Sequence, residues 1–456
     1  MPNTLNINKE DIDSAEKCRN YTVGVIECGK LGTPHACLFA DAGFKVIGVN
    51  TNPHMLKLLK KGRLPFFEKA HRALEKYAEK GLFIASSEIR NAASESNVVI
   101  IAVQTTIDQN KKPDYSLLEK TCREVGMGLK SGSLIIFVCS TGPGIVEGSM
   151  REIFEKTSGL KAGRDFGLAS SPIQIDSLRG SVEVSRLPRV VGAIDKASLN
   201  AASFILSKIT KSEITEVSSI KTAEAVNIFQ NISNETNQAL ANELALLCER
   251  LRIDFLEILR VAQGNNVFHL LPPGVAHGPL MRDFYLLLEE AENVNSKLRL
   301  ALLARKTNDE VVEQIFRLVK DALKVCGKTV RRAKVSVLGV SRYPNVKDSP
   351  EILTKNVINF IKRKVRTVQV YDPFFSTKEL AEFNLESDKL SKVVEKTDCV
   401  IILTGHSKFE RLNLKKIKFL AKKSPAIVDV GHVIDPLKAE KNGFVYRGLG
   451  RGVWTK

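Results

Sequence analysis

No C-x-x-C pair and no cluster of histidines at zinc spacing occurs in this sequence. Its eight cysteines stand singly along 456 residues, which argues against a structural metal or a disulfide framework and for a reducing compartment. No apolar run approaches the roughly 20 residues that span a bilayer. The opening MPNTLNINKEDIDSAEKCRN is polar and contains acids, unlike a secretory signal, so the expected location is cytoplasmic, with no membrane partner. Acids are scarce beside bases, 51 against 68, which leaves a net charge of +17. Such a charge suits nucleic acid, anionic lipid or an anionic small molecule. The lysines are spread along the chain, however, and their one local cluster, Lys415, Lys416, Lys418, Lys422 and Lys423, comes without a helix-turn-helix pattern. Nucleic acid is therefore not the expected partner.

What is present is ordinary globular material, 43% hydrophobic and 26% charged, long enough for about three domains. YTVGVIECGKLGTPHACLFADAGFKVIGVNTNP reads as a strand (Thr22 to Ile26), a tight turn, a helix (Leu31 to Ala42) and a strand (Lys45 to Asn50). That is the opening of a dinucleotide-binding unit, in which glycines admit a pyrophosphate at a helix N-terminus and an acid after the second strand holds the ribose. The match is incomplete. Gly29 and Gly32 are in place, with Lys30 and Leu31 between them, but Glu27 stands for the first glycine and Asn50 for the ribose acid. A carboxylate at the turn is expected to weaken binding of a diphosphate unless it rotates outward.

Further apolar strands, Asn97 to Val103 and Ser133 to Val138, end in VQTT and CSTGPG, which puts Val103, Thr105, Thr106, Ser140 and Thr141 at strand C-termini. Leu168 to Pro172 and Arg189 to Gly192 complete the first domain. Continuous apolar strands alternating with helices predict a parallel sheet covered on both faces, binding ligands at its C-terminal edge. The stretch Thr222 to Leu251 then runs without Gly or Pro for roughly 45 Å as an ideal helix. Ala225, Ile228, Phe229, Ile232, Leu240, Leu244, Leu247 and Leu251 keep the helical period. Its other face carries Asn227, Asn231, Asn234, Asn237, Asn242 and Glu243, read most simply as a wet polar face. A Pro/Gly-rich loop (Asn265 onward) follows, then a helix extending past Ala304 to Cys326. A second αβ unit starts at Lys334, with later strands at Cys399 to Leu403 and Ala426 to Val430.

TAEAVNIFQNISNETNQALANELALLCERLRID, PPGVAHGPLMRDFYLL, LLARKTND, VLGVSRYPNVKDSPEIL, VYDP, DCVIILTGH, AIVDVGHVIDP and GFVYRGLGRG occur in the order found in nucleotide-sugar 6-dehydrogenases. The chain resembles that family, whose members oxidise UDP-glucose, UDP-N-acetylmannosamine and GDP-mannose, over nearly everything after residue 20. D-F-Y-L looks most like its N-acetylhexosamine branch. The resemblance implies an α/β fold of two Rossmann-like domains with parallel sheets, joined by a long central helix that also builds a homodimer. The boundaries it suggests are a polar lead at 1–20, a NAD-binding-like domain at 21–205, a helical dimerisation domain at 206–328 and a UDP-sugar-binding-like domain at 329–456. NAD would bind the first domain and a UDP-sugar would be oxidised at C6 by two hydride transfers, as in polysaccharide biosynthesis. In the family a cysteine traps the intermediate aldehyde as a thiohemiacetal, which loses hydride to give a thioester. A lysine and an asparagine of the central helix, with an aspartate, stabilise the oxyanion and position water.

Carried over residue by residue, the resemblance retains Asn231 and Asp283 and loses the rest of that set. The family's G-x-G-G-x-C-x-P-x-D loop falls on Gly274 to Asp283, so Pro279 stands where the cysteine belongs, and no cysteine occurs between Cys248 and Cys326. Asn227 replaces the lysine. Lys221 lies about 240° round the helix from it and is a poor substitute. S-P-E becomes Ser171, Pro172 and Ile173, V-P-T-P becomes Val103 to Thr106, a nucleotide-sugar-binding arginine becomes Lys347, and the arginine two residues after Asp429 becomes Gly431. Since Pro279 can form no thioester, the four-electron oxidation is expected to be impaired or absent. A single alcohol/aldehyde step, which needs no thiol, and a basic interaction module at Lys415 to Lys423 are the alternatives. Cys139 and His277 are simplest as a small buried cysteine and a loop histidine. Asn231 and Asp283 are as well explained by capping or dimer contacts as by catalysis.

Overall fold

The computed structural model describes residues 5, 12–62, 68–173, 184–263, 270–275, 280–347 and 352–454. The chain divides into two compact units, Met1–Asn231 with Met281–Lys297, and Ile232–Leu280 with Leu298–Lys456.

The first unit is built on β1 (Thr22–Ile26), β2 (Lys45–Val49), β3 (Phe83–Ser86), β4 (Val98–Ile101), β7 (Leu134–Phe137), β8 (Gly167–Ser170), β9 (Arg189–Ala193) and β10 (Ile214–Glu216). A small hairpin, β5 (Thr106–Ile107) and β6 (Pro113–Asp114), stands apart. The eight strands lie in the order β10-β9-β8-β7-β4-β1-β2-β3, parallel except for β8 against β9. Every residue of β4 and β7 is buried, as expected for apolar strands covered on both faces. From β1 the chain steps out to β2 and β3, then returns to β4 on β1's other side, with Val23 beside both Val46 and Val98. In sheets of this kind ligands bind outside the strands' C-terminal ends at such a reversal. β10 extends the sheet beyond residue 205.

The second unit has a five-stranded parallel sheet, β12-β11-β13-β14-β15, from β11 (Lys334–Leu338), β12 (Thr367–Tyr371), β13 (Cys399–Ile402), β14 (Ala426–Asp429) and β15 (Val445–Gly448). It is again doubly wound, β11 pairing with both β12 and β13. Two Rossmann-like regions and a long central helix are therefore present. The single helix expected up to Cys326 is two helices, Leu280–Asn293 and Arg299–Val325. Asn295 breaks them with φ of 55°, a left-handed conformation that asparagine tolerates better than most residues.

The central helix spans Ile220–Leu251, 32 residues. Its faces only partly follow the periodic reading: Ile228 is buried and Asn234 and Glu243 are exposed as expected, but several positions are inverted. Phe229, Leu240, Leu247 and Leu251 are 58%, 46%, 48% and 58% exposed, whereas Glu224, Asn231, Glu235, Gln238 and Asn242 are buried.

Candidate functional site

After β1 the turn closes tightly. Cys28 N–H donates to Val49 O at 2.7 Å and Gly29 N–H to Glu27 O at 2.8 Å. Glu27 adopts φ of 68°, so it takes up the left-handed conformation for which glycine is the usual choice. Gly32 has no alternative, because a Cβ there would lie 2.3 Å from Glu27 O. The following helix, Gly32–Asp41, begins with Leu31 as its N-cap and no side-chain cap; in its first turn Thr33 N–H donates to Gly29 O at 3.1 Å and Pro34 carries no N–H, which leaves Gly32 N–H for an anion. Turn, close-packed Gly32 and uncapped helix thus fit a dinucleotide. Glu27 is the discordant residue, and its carboxylate is drawn to the end of β2, where Asn50 Nδ2 donates to Oε1 at 2.7 Å. Burial raises the Glu27 pKa while that hydrogen bond lowers it. Asn50 is itself buried and accepts from Asn52 N–H at 2.9 Å.

Val103 and Thr105 are buried past the end of β4, and Thr105 Oγ1 donates to Ser140 O at 3.3 Å, which ties together the loops after β4 and β7. The β7 loop is fastened by Glu224, a residue the sequence reading passed over. Its carboxylate accepts from Thr141 Oγ1 (2.7 Å), Gly144 N–H (2.7 Å) and Val146 N–H (3.1 Å), and burial pushes its pKa up to about 7. Lys30 and Leu31 lie in the β1 turn, Leu31 buried. The hydroxyls of Thr33, Ser170 and Ser171 are buried without a partner among the described residues.

On the central helix Asn231 Nδ2 donates to Asp283 Oδ2 across 52 residues of sequence. Asp283 Oδ1 accepts from Arg282 Nε at 3.0 Å, and both members of the pair are fully buried. Two residues predicted from separate motifs are thereby brought together, and Arg282 joins them unforeseen. Asn227 is half-buried. Lys221 lies elsewhere, its aliphatic end 3.7 Å from where a Gly144 Cβ would be. Cys139 is buried, with burial pushing its thiol up to about 12, so it is no thiolate nucleophile at neutral pH. Pro279 and His277 lie outside the described residues.

In the second unit Gly274 is held at both backbone groups by Asn242, its N–H donating to Oδ1 at 2.8 Å and its carbonyl accepting from Nδ2 at 3.1 Å. Asn308 Oδ1 receives the same Asn242 amide at 3.0 Å, while Arg305 pairs with Glu235 at 2.7 Å. Lys347 is engaged by Glu379 at 2.6 Å and lies 5.7 Å from the Phe375 ring centroid. Asp429 is buried and its pKa is raised to about 6, with Oδ1 unpartnered among the described residues. A Cβ on Gly431 would fall 2.7 Å from Gly405 N, so this position has no room for a side chain without a backbone shift. His432 bonds instead to Pro273 O at 2.6 Å.

Three profiles of one family match in chain order. The NAD binding domain of the UDP-glucose/GDP-mannose dehydrogenase family matches residues 21–210, its central domain 221–310 and its UDP binding domain 336–436. The UDP-N-acetyl-D-mannosamine dehydrogenase of Pyrococcus horikoshii is 28% identical over 94% of this chain and 99% of its own. The UDP-N-acetyl-D-glucosamine 6-dehydrogenase of Pseudomonas aeruginosa is 26% identical over 92% and 99%. Among solved structures, the Pyrococcus horikoshii UDP-D-ManNAc dehydrogenase superposes with a TM-score of 0.85 at 27% identity, covering 95% of this chain and 100% of that one. An NDP-N-acetyl-D-galactosaminuronic acid dehydrogenase from Methanosarcina mazei gives 0.80 at 28%, covering 98% and 99%. Sheet reversal, turn, central helix and domain order all agree with these matches, and the chain belongs to the UDP-glucose/GDP-mannose dehydrogenase family.

Proposed function

We propose that the chain binds NAD and a UDP-N-acetylhexosamine on this scaffold and does not complete the four-electron oxidation to the acid. The carrying observation is the lack of any cysteine between Cys248 and Cys326 in a chain that retains Asn231 and Asp283. NAD, when bound, would supply the hydride acceptor for an oxidation at C6, and in this reading binding or regulation stands in place of that oxidation. Asn231 would orient the sugar hydroxyl and Asp283, neutralised by Arg282, would organise the proton network around it. Without a thiolate the aldehyde has no covalent anchor, so the second hydride has no thiohemiacetal to leave from. Boundaries at 21–205, 206–328 and 329–456, a cytoplasmic location and a homodimer through the exposed leucine stripe of the central helix belong to the same reading. The test is NADH formation by the full chain with UDP-N-acetylglucosamine and UDP-N-acetylmannosamine. Expected is no sustained release, and steady NADH with uronate accumulation overturns the proposal.

A second reading is one reversible alcohol/aldehyde step. It is favoured by the retained glycines of the turn, Gly29 and Gly32, because that step moves one hydride and one proton and uses no sulfur. An aldehyde-trapping assay that stays blank with NAD and NADP removes it.

A further inference from the structure

The unusual feature of the dinucleotide turn is that two departures from the ordinary pattern touch each other. In a binding unit of this kind the carboxylate that accepts the adenosine ribose hydroxyls stands at the end of the second strand, and the first turn residue is glycine. Here the strand end carries Asn50 and the turn carries Glu27, and the two are joined by the 2.7 Å bond from Asn50 Nδ2 to Glu27 Oε1. We propose that the ribose-recognising carboxylate has been exchanged between these positions, Glu27 supplying it from the turn and Asn50 holding it in place.

Two observations support the exchange, which rests on the NAD reading above. The left-handed φ of 68° at Glu27 keeps the turn in the shape a glycine would give it, so the acid has been added without rebuilding the loop. Asn50 is fixed, since it is buried and its Oδ1 is taken by Asn52 N–H. Its amide, so held, donates to Glu27 Oε1 and aims that carboxylate. A carboxylate has about four acceptor sites, so one bond to Asn50 leaves capacity for a vicinal diol. The same charge would meet a 2′-phosphate with repulsion, which makes Glu27 a selector of NAD over NADP. The competing description is a plug, because Oε1 also stands 3.8 Å from where a Gly29 Cβ would be, on the side a diphosphate approaches.

Calorimetric titration of the full chain with NAD and NADP separates the two, using Glu27→Gly, Glu27→Gln and the double variant Glu27→Gly/Asn50→Asp, which restores the ordinary arrangement. Glu27→Gly is expected to weaken NAD by about tenfold to a hundredfold, as for loss of charged hydrogen bonds. The double variant should recover most of that loss, and Glu27→Gln should narrow the preference for NAD over NADP. Glu27→Gly also relieves a left-handed residue, so its folding is not at risk. Tighter NAD binding by Glu27→Gly makes Glu27 a plug and overturns the exchange. Unchanged NAD binding in that variant overturns the exchange but leaves the NAD reading standing, whereas no binding by any form overturns both.

Discussion

Glutamine at position 224 tests how the β7 loop is fastened to the central helix. Three donors converge on the Glu224 carboxyl, from Thr141, Gly144 and Val146, yet burial, the largest influence, raises its pKa to about 7. A carboxyl with a raised folded-state pKa holds its proton longer when folded. Its contribution to stability is therefore fully present below pH 4.5, the unfolded value, and is lost as pH rises to about 7. At about 1.4 kcal/mol per unit, that window bounds the loss at roughly 3 kcal/mol. The protonated acid can donate to Thr141 Oγ1 and still accept from both backbone N–H groups. Glutamine can donate to Thr141 and accept from Gly144, but it presents a donor to Val146 N–H and forfeits that bond, for about 1–2 kcal/mol. The variant should therefore be the less stable protein near pH 5 and the more stable one above pH 7. Thermal and denaturant unfolding of both proteins across pH 4.5 to 8 reads this directly. A wild-type advantage that grows with pH would refute the reasoning, since it would mean that the three donors select the ionised carboxylate despite burial.

Gly32→Ala should destabilise the first unit by several kcal/mol, on the order of an overpacked core, because its Cβ meets Glu27 O at 2.3 Å; a lower melting temperature and lost NAD binding check it. Leu240→Asp with Leu247→Asp, at positions 46% and 48% exposed, should give a folded monomer by light scattering, and an unchanged dimer excludes the leucine stripe as the interface. Gly431→Arg should not regain function but lower stability, since a Cβ at position 431 would lie 2.7 Å from Gly405 N; a melting temperature equal to wild type would contradict that. Pro279→Cys combined with Asn227→Lys should yield uronate by mass spectrometry where neither single change does.

How much of this was legible in the sequence follows from how local each feature is. β1, β4 and β7 are continuous apolar runs, and their placement needed only periodicity and flanking turns. β3 (FIAS) and β15 (VYRG) went unread as strands, because four residues carry no period, and in β3 Ile84 is 62% exposed on an edge strand with one neighbour. The break between the helices at Asn293 and Arg299 has no glycine or proline to announce it. Glu27 was legible as a departure, but its bond to Asn50 comes from the pairing of β1 with β2 and has no signature at position 27. The central helix was legible in length but not in orientation. Its polar positions 224, 231, 235, 238 and 242 are themselves spaced at the helical period, which was the available sign that this stripe is the buried one.

That stripe also bears on what the retained residues mean. Each buried polar residue on it has a partner: Glu224 the β7 loop, Asn231 Asp283, Glu235 Arg305, Gln238 Pro272 O, and Asn242 Gly274 and Asn308, with Glu235 Oε2 alone of their oxygens buried without a partner among the described residues. Removing any one would leave its partner buried and unsatisfied, at about 1–3 kcal/mol. Asn231 and Asp283 would therefore resist replacement in a chain with no chemistry left, and their presence says little about turnover. The replaced positions are the informative ones. Lys347 keeps a cation but is engaged at the surface by Glu379, the backbone at Gly431 has no room for a Cβ, and Pro279 carries neither a thiol nor an N–H. If lysine at 227 and cysteine at 279 restored acid formation, the buried pair would be shown competent and idle. If they did not, Asn231 and Asp283 would be features of the fold alone.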